Sequence, residues 1–444
     1  MNRRLRGQAA AVLLLLGASA FGTDAAASSS PASRFDQLFT GATLRIDLHH
    51  AGSRSEESFT LDRLLEEGPW AGPRAVRKDE TGFGAYIFRL FDSASNEMIF
   101  SRAFSNLFGE WRTTGEALTA RRTMHETILA PMPRSPAYAT IAARGPNNVF
   151  VDLFSVRIDP DSRGVIREAP CVPRPMTDVA VTGPASERLD LLFVGDGYTA
   201  HDEEKFRRDA RRFTRILFSY SPFKENAGRI NVRALWAASD QSGTDEPRKG
   251  RFRKTAAGTT FNTFDTERYL TAPDNRTLRD LVACAPYERI IILVNSARYG
   301  GAGIHDQWAI TTTDNEFSDY VMVHEFGHAL AGLGDEYYTS DVAYNEFYPQ
   351  GVEPWEANIS ALVPGGRPKW EALLTKDVPV PTPAGEEEYA KAVGAFEGAG
   401  YAAAGLYRPA LDCMMFSKGH RPFDPVCAAA LERTILHLAG DAGP

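Results

Sequence analysis

The sequence predicts an α/β domain with a mostly parallel sheet, preceded by an all-β sandwich domain. Three observations lead there. Residues 35–170 carry short apolar runs divided by Gly, Pro, Asn and Asp, which is the pattern of an antiparallel sandwich. Beyond about residue 180, wholly apolar strands alternate with helical periodicity, which implies a parallel sheet. The 444 residues suit two or three domains at roughly 150 residues each. Hydrophobic residues make up 43% and charged residues 24%, so collagen-like, coiled-coil and wholly disordered chains are excluded.

The chain opens on a charged and then apolar segment. Arg3, Arg4 and Arg6 precede an apolar run over residues 9–20, centred on Leu13, Leu14, Leu15 and Leu16. Ala18-Ser19-Ala20 and residues 25–27 offer small-residue cleavage sites. Residues 1–27 are therefore expected to be a secretory signal peptide, which places the mature chain outside the cytoplasm, secreted or periplasmic. The run is shorter than the ~20 residues of a membrane span, and no later segment is long and apolar enough, so no membrane insertion is expected. A net charge of -8 argues against nucleic acid as a partner. Nothing in the composition sets an oligomeric state.

In the N-terminal part, Thr43-Leu44-Arg45-Ile46-Asp47-Leu48 alternates at period two, the mark of a half-buried strand. Residues 86–91 and 149–154 are further short strands. His49 and His50 fall on opposite faces of a strand and cannot share a metal. His125-Glu126 lacks a second His four residues on and is read as a surface pair. A Pro-rich linker with Pro170, Pro173 and Pro175 leads into residues 180–444. There, residues 191–194, 230–237 and 289–295 read as buried strands. Residues 201–218 read as a helix with Phe206, Ala210, Phe213 and Leu217 along one side. Gly195-Asp196-Gly197 lacks the full glycine fingerprint of a phosphate loop. Trp308-Ala309-Ile310-Thr311 follows a glycine-rich loop and is read as an edge strand able to bind an extended peptide.

Four cysteines fit an exported chain. Cys413 and Cys427 flank a turn-rich segment and are the favoured disulfide, leaving Cys171 with Cys284.

The chemistry lies in His324-Glu325-Phe326-Gly327-His328. Two histidines four apart on a helix share one face, so both can bind one Zn²⁺, and Glu325 can reach a water on that ion without ligating it. Ser318 is a candidate N-cap. Val323, Phe326 and Leu330 supply an apolar stripe, and Gly332 and Gly334 end the helix. A catalytic zinc site keeps three protein ligands and one open position. Asp335 is the choice for the third, since Gly334 lets the chain swing it inward. Glu336 is the alternative, with a distant His305 or His420 behind it. Leu411-Asp412-Cys413-Met414-Met415-Phe416 offers a methionine floor beneath such a site. Tyr337, Tyr338 and His420 are candidates for assisting the reaction.

Val323-His324-Glu325-Phe326-Gly327-His328 followed by Gly332-Leu333-Gly334-Asp335-Glu336-Tyr337-Tyr338 resembles the active-site signature of the bacterial IgA-peptidase family of secreted zinc metallopeptidases. Gly195-Asp196-Gly197-Tyr198-Thr199, Ser242-Gly243-Thr244-Asp245, Tyr299-Gly300-Gly301 and, in the N-terminal part, Trp70-Ala71-Gly72 are similar too. The resemblance implies a metzincin-like catalytic domain with His324, His328 and Asp335 as zinc ligands, Glu325 as general base and Met414 in a Met-turn. It implies a protein or peptide substrate. The chain departs from the family where a Cys often precedes Pro-Val-Cys; here that position is Asp424. The expected function is a secreted zinc endopeptidase. The alternatives are a zinc amidase acting on a non-protein or cell-wall peptide, and a secreted β-sandwich binding protein with a structural zinc.

Overall fold

The computed structural model describes residues 31–167, 172–339, 347–363 and 365–441. The expected signal peptide, Cys171 and Pro170 lie outside them. The described chain is a mixed α/β protein with several sheets. It begins with α1 (Pro31–Leu38) and the long β1 (Phe39–Gly52) and β2 (Glu57–Pro69), then β3 (Tyr86–Asp92), β4 (Met98–Phe104) and the short α2 (Leu107–Trp111). β5 (Arg122–Pro133), β6 (Ala137–Arg144), β7 (Phe150–Ile158) and β8 (Val165–Ile166) follow. They form two four-stranded sheets, in the orders β5-β1-β2-β8 and β4-β3-β6-β7. One apolar core joins them, with Leu44, Ile46 and Leu48 from β1 against Phe88 and Leu90 from β3 and Ile141 from β6.

The alternation in β1 has a second meaning that the sequence hides. Arg45 and Asp47, on its polar face, are fully buried as well. Arg45 pairs with Asp47 at 2.8 Å and, across to the C-terminal half, with Asp280 at 2.8 Å. The strand is thus buried on both faces, where half-burial was expected. His49 and His50 do take opposite faces, with His50 buried. Glu126 is also buried, not at the surface as expected: it stands opposite Leu48 on the inward face of β5, 4.0 Å from the buried His50 ring.

The second half is built on β9 (Met176–Ala180), β10 (Leu189–Asp196), α3 (Glu203–Leu217), β11 (Ile230–Leu235), α4 (Asn275–Val282), β12 (Arg289–Val294), β13 (Gly301–Ile304), β14 (Trp308–Thr312) and α5 (Ser318–Ala331). A hairpin of β15 (Phe396–Ala399) and β16 (Ala402–Arg408) and a last helix α6 (Pro425–Leu438) complete it. The six-stranded sheet runs β13-β14-β12-β10-β11-β9. Its four middle strands are parallel, and the two outer strands are antiparallel. α3, α5 and α6 cover one face and α4 the other, so β10 and β12 are buried throughout. Phe206, Ala210, Phe213 and Leu217 form the buried side of α3 as expected.

The edge next to α5 differs from expectation. β14, which carries Trp308, is interior, paired on both sides; the edge is β13. The glycine-rich segment read as a loop is itself the strand. Its glycines let it lie close on α5: a Cβ on Gly303 would stand 2.1 Å from the Glu325 carbonyl oxygen and 2.8 Å from His328 Cβ. Asp196, in the expected non-phosphate turn, is structural: it is buried and accepts from the Ala257 and Thr259 amides at 2.7 and 3.1 Å. Among the described residues no helix is long and apolar enough to cross a membrane.

Candidate active site

α5 is buried on most of its circumference, because the sheet lies on one side and α3 and α6 on others. Its N-cap is Phe317, one residue before the expected Ser318; the Ser318 hydroxyl instead accepts from the Asn315 amide at 3.1 Å. Its end is as expected. Gly332 is left-handed at φ 58°, and its amide donates to the His328 carbonyl at 2.9 Å. The chain then reverses and runs back beneath the helix.

That reversal carries Asp335 to the histidines. His324 Nε2 and His328 Nε2 stand 3.2 Å apart, and Asp335 Oδ1 lies 3.1 and 3.3 Å from them. The other ring nitrogens are held by backbone: His324 Nδ1 lies 3.1 Å from the Met414 carbonyl oxygen, and His328 Nδ1 pairs with the Leu333 carbonyl. Protons on both Nδ1 atoms leave the two Nε2 lone pairs facing one point. Asp335 Oδ2 accepts from the Tyr337 and Tyr401 hydroxyls at 2.6 and 2.5 Å. Its Oδ1 is buried and accepts no aligned hydrogen bond despite its nearness to both rings. Three donor atoms converging on one point fit a metal cation.

The electrostatics agree. Burial would favour a neutral His328, but the Asp335 carboxylate outweighs it and lifts the imidazole to about 9, while Asp335 itself falls well below the carboxylate range. The attraction that would hold a proton there is available to a divalent ion. The Glu325 carboxylate lies within 4.8 Å of both imidazoles, and burial, with the Asp335 charge added, raises its pKa. The geometry separates the alternatives for the third position. Glu336 turns away: its amide donates to the Met415 carbonyl at 2.9 Å and its carboxylate accepts from Asn358 Nδ2 at 2.9 Å. His305 packs near Trp355 in the cavity wall, and His420 stacks on Tyr220 outside it. Tyr338 packs on Phe416, so Tyr337 is the one residue of the expected assisting set that reaches the site. Met414 and Met415 are buried in a turn under the helix, as the sequence suggested.

Other members of the site escaped the sequence reading. Tyr401 reaches Asp335 because the β15–β16 turn pairs with residues 335–337: the Gly400 amide donates to the Asp335 carbonyl at 2.9 Å and the Tyr401 amide to the Tyr337 carbonyl at 3.0 Å. Its one signal was a glycine-flanked tyrosine. The cavity of about 520 Å³ above the histidines has walls from both halves, including Glu110, Arg112 and Asn148 from the first and Arg268 and Trp355 from the second. β13 lines it too, through Gly301, Ala302 and Gly303.

The expected Cys413–Cys427 disulfide is absent. Both are free, buried thiols, and each hydrogen-bonds Glu336. The pairing expected of Cys284 involves Cys171, outside the described residues.

The site is thus that of a metallopeptidase, and comparison with known proteins gives the family. Residues 177–392 and 384–435 match IgA Peptidase M64, and residues 34–155 match the Peptidase M64 N-terminus. The chain belongs to the IgA peptidase M64 family. No curated protein matches it. Among solved structures, metalloproteinase-II from Bacteroides fragilis shows 13% identity over 55% of this chain and 85% of its own, with a TM-score of 0.22. At that score the likeness carries no weight.

Proposed function

We propose that the chain is a zinc-dependent endopeptidase, secreted or periplasmic, with a metzincin-like catalytic half at residues 180–444 and an N-terminal β-sandwich domain at 35–170. The observation that carries this reading is the convergence of His324 Nε2, His328 Nε2 and Asp335 Oδ1, the last buried without a hydrogen bond. Three ligands under an open cavity leave a position for substrate, as catalytic zinc sites do. When bound, the ion supplies Lewis acidity toward water and the scissile carbonyl. Glu325 takes the proton of the attacking water and delivers it to the leaving amine, a contribution of about 10² to 10⁴-fold. Burial raises its pKa, which strengthens its hold on the proton that it then returns to the leaving amine. Substrate lies extended along β13, adding a strand to the sheet edge above the histidines.

The test is the Glu325→Gln variant. It should keep fold and zinc content yet lose at least about 100-fold in casein hydrolysis. Near-normal hydrolysis would refute the role. Activity on purified peptidoglycan and none on casein would turn the reading to a cell-wall amidase.

A further inference from the structure

A second group of metal-binding side chains lies behind the histidine pair. Cys413, Cys427 and Glu336 are fully buried, and Asp424 is 5% exposed. One donor atom from each of the four lies within 4.8 Å of every other. The Cys413 and Cys427 thiols reach the two Glu336 oxygens at 3.0 and 3.3 Å. Asp424 divides its carboxylate. Oδ1 caps α6, accepting from the Val426 and Cys427 amides at 2.7 and 3.2 Å. Oδ2 is buried with no partner. A buried carboxylate oxygen left unpaired is costly, and a cation at the centre of the cluster would relieve it.

We propose that Glu336, Cys413, Asp424 and Cys427 form a structural Zn²⁺ site distinct from the histidine site. Two sulfurs and two carboxylate oxygens are a donor set that zinc accepts, and a closed set of four is the arrangement of a structural rather than a catalytic zinc. At ligand distances of roughly 2.0 to 2.3 Å, tetrahedral donors stand about 3.5 Å apart, so a small contraction of the cluster completes the sphere. Binding forms two sulfur–zinc bonds and releases the two thiol protons to solvent. The ion would cross-link three segments: the loop after α5, the methionine turn and the start of α6. Each half of the histidine site is one residue away. Asp335 precedes Glu336, and Met414, whose carbonyl faces His324 Nδ1, follows Cys413. The second ion thus fixes the floor on which the first is held.

Full-length chain produced in cobalt-supplemented medium tests this, with His328→Ala used to disable the histidine site. The wild type should hold two equivalents of cobalt. His328→Ala should hold one, with a sulfur-to-cobalt charge-transfer band in the near ultraviolet. Cys427→Ser should lose that band, but the His328→Ala result stands without it if the serine variant fails to fold. A His328→Ala chain with no sulfur-to-cobalt band overturns the proposal, as does a Cys413–Cys427 disulfide in the unreduced mass. A wild-type chain whose sole cobalt is sulfur-bound would support this site and overturn the histidine site instead.

Discussion

Asp335 sits between two demands. Two tyrosine hydroxyls hold Oδ2, which orients the carboxylate so that Oδ1 meets both imidazoles. Asp335→Ala should therefore lower the metal content by one equivalent and abolish hydrolysis, read by elemental analysis alongside an activity assay. Tyr401→Phe removes one of the two supports and should weaken metal retention by about 10 to 100-fold against a competing chelator, as loss of a ligand's hydrogen-bond partner does. The pair His324 and His328 was legible because helical periodicity alone puts them on one face. The choice of Asp335 over Glu336 was only half legible: the glycines announced a reversal, but which carboxylate turned inward depended on Cys413, Cys427 and Asn358 receiving the other. A residue outside the cavity lining gives a pH prediction. Burial raises the Glu126 carboxyl to about 8. Between about pH 4.5 and 8 the unfolded chain has lost this proton while the folded chain keeps it, so this group's effect is to lower stability as pH rises, by up to about 1.4 kcal/mol per unit. Glu126→Gln should melt at higher temperature than wild type at pH 8, with the gap closing toward pH 5. An equal gap at both values would contradict the burial argument.

Among the elements, β13 is the one whose sequence misleads most. A segment reading Gly301-Ala302-Gly303-Ile304 has weak strand propensity, and the β-branched, aromatic β14 beside it looks the better candidate for an edge. Packing overrides propensity, because only glycines at the positions facing α5, Gly301 and Gly303, let the strand approach the helix this closely. Gly303→Ala should cost about 1 to 3 kcal/mol or more, since its methyl group would overlap the Glu325 carbonyl of a buried helix. Thermal unfolding would show this, and an unchanged midpoint would mean that β13 does not lie against the helix as described. The interior strands of the sheet were legible for the opposite reason: burial on both faces leaves an unbroken apolar run.

At the scale of the whole molecule, the two halves are joined by charge. Arg45, with no exposure, meets Asp47 and Glu67 from its own sheet and Asp280 from α4, and Arg63 reaches Asp280 at 2.9 Å. The two contacts to Asp280 span more than 200 residues, and no local pattern reveals them; β1 simply alternated. Because a buried guanidinium would lose a partner if the halves parted, they should unfold in one calorimetric transition. Two separated transitions would contradict that coupling. The shared cavity has the same origin, with residues of both halves standing over the histidines. The central claim is that these histidines and Asp335 hold the reaction's metal. Anomalous diffraction from crystals of the isolated chain, collected on either side of the zinc absorption edge, tests it most directly. The account predicts a zinc peak roughly 2.0 to 2.2 Å from His324 Nε2, His328 Nε2 and an Asp335 oxygen. Imidazoles joined only to protein atoms, with no peak between them, would contradict it.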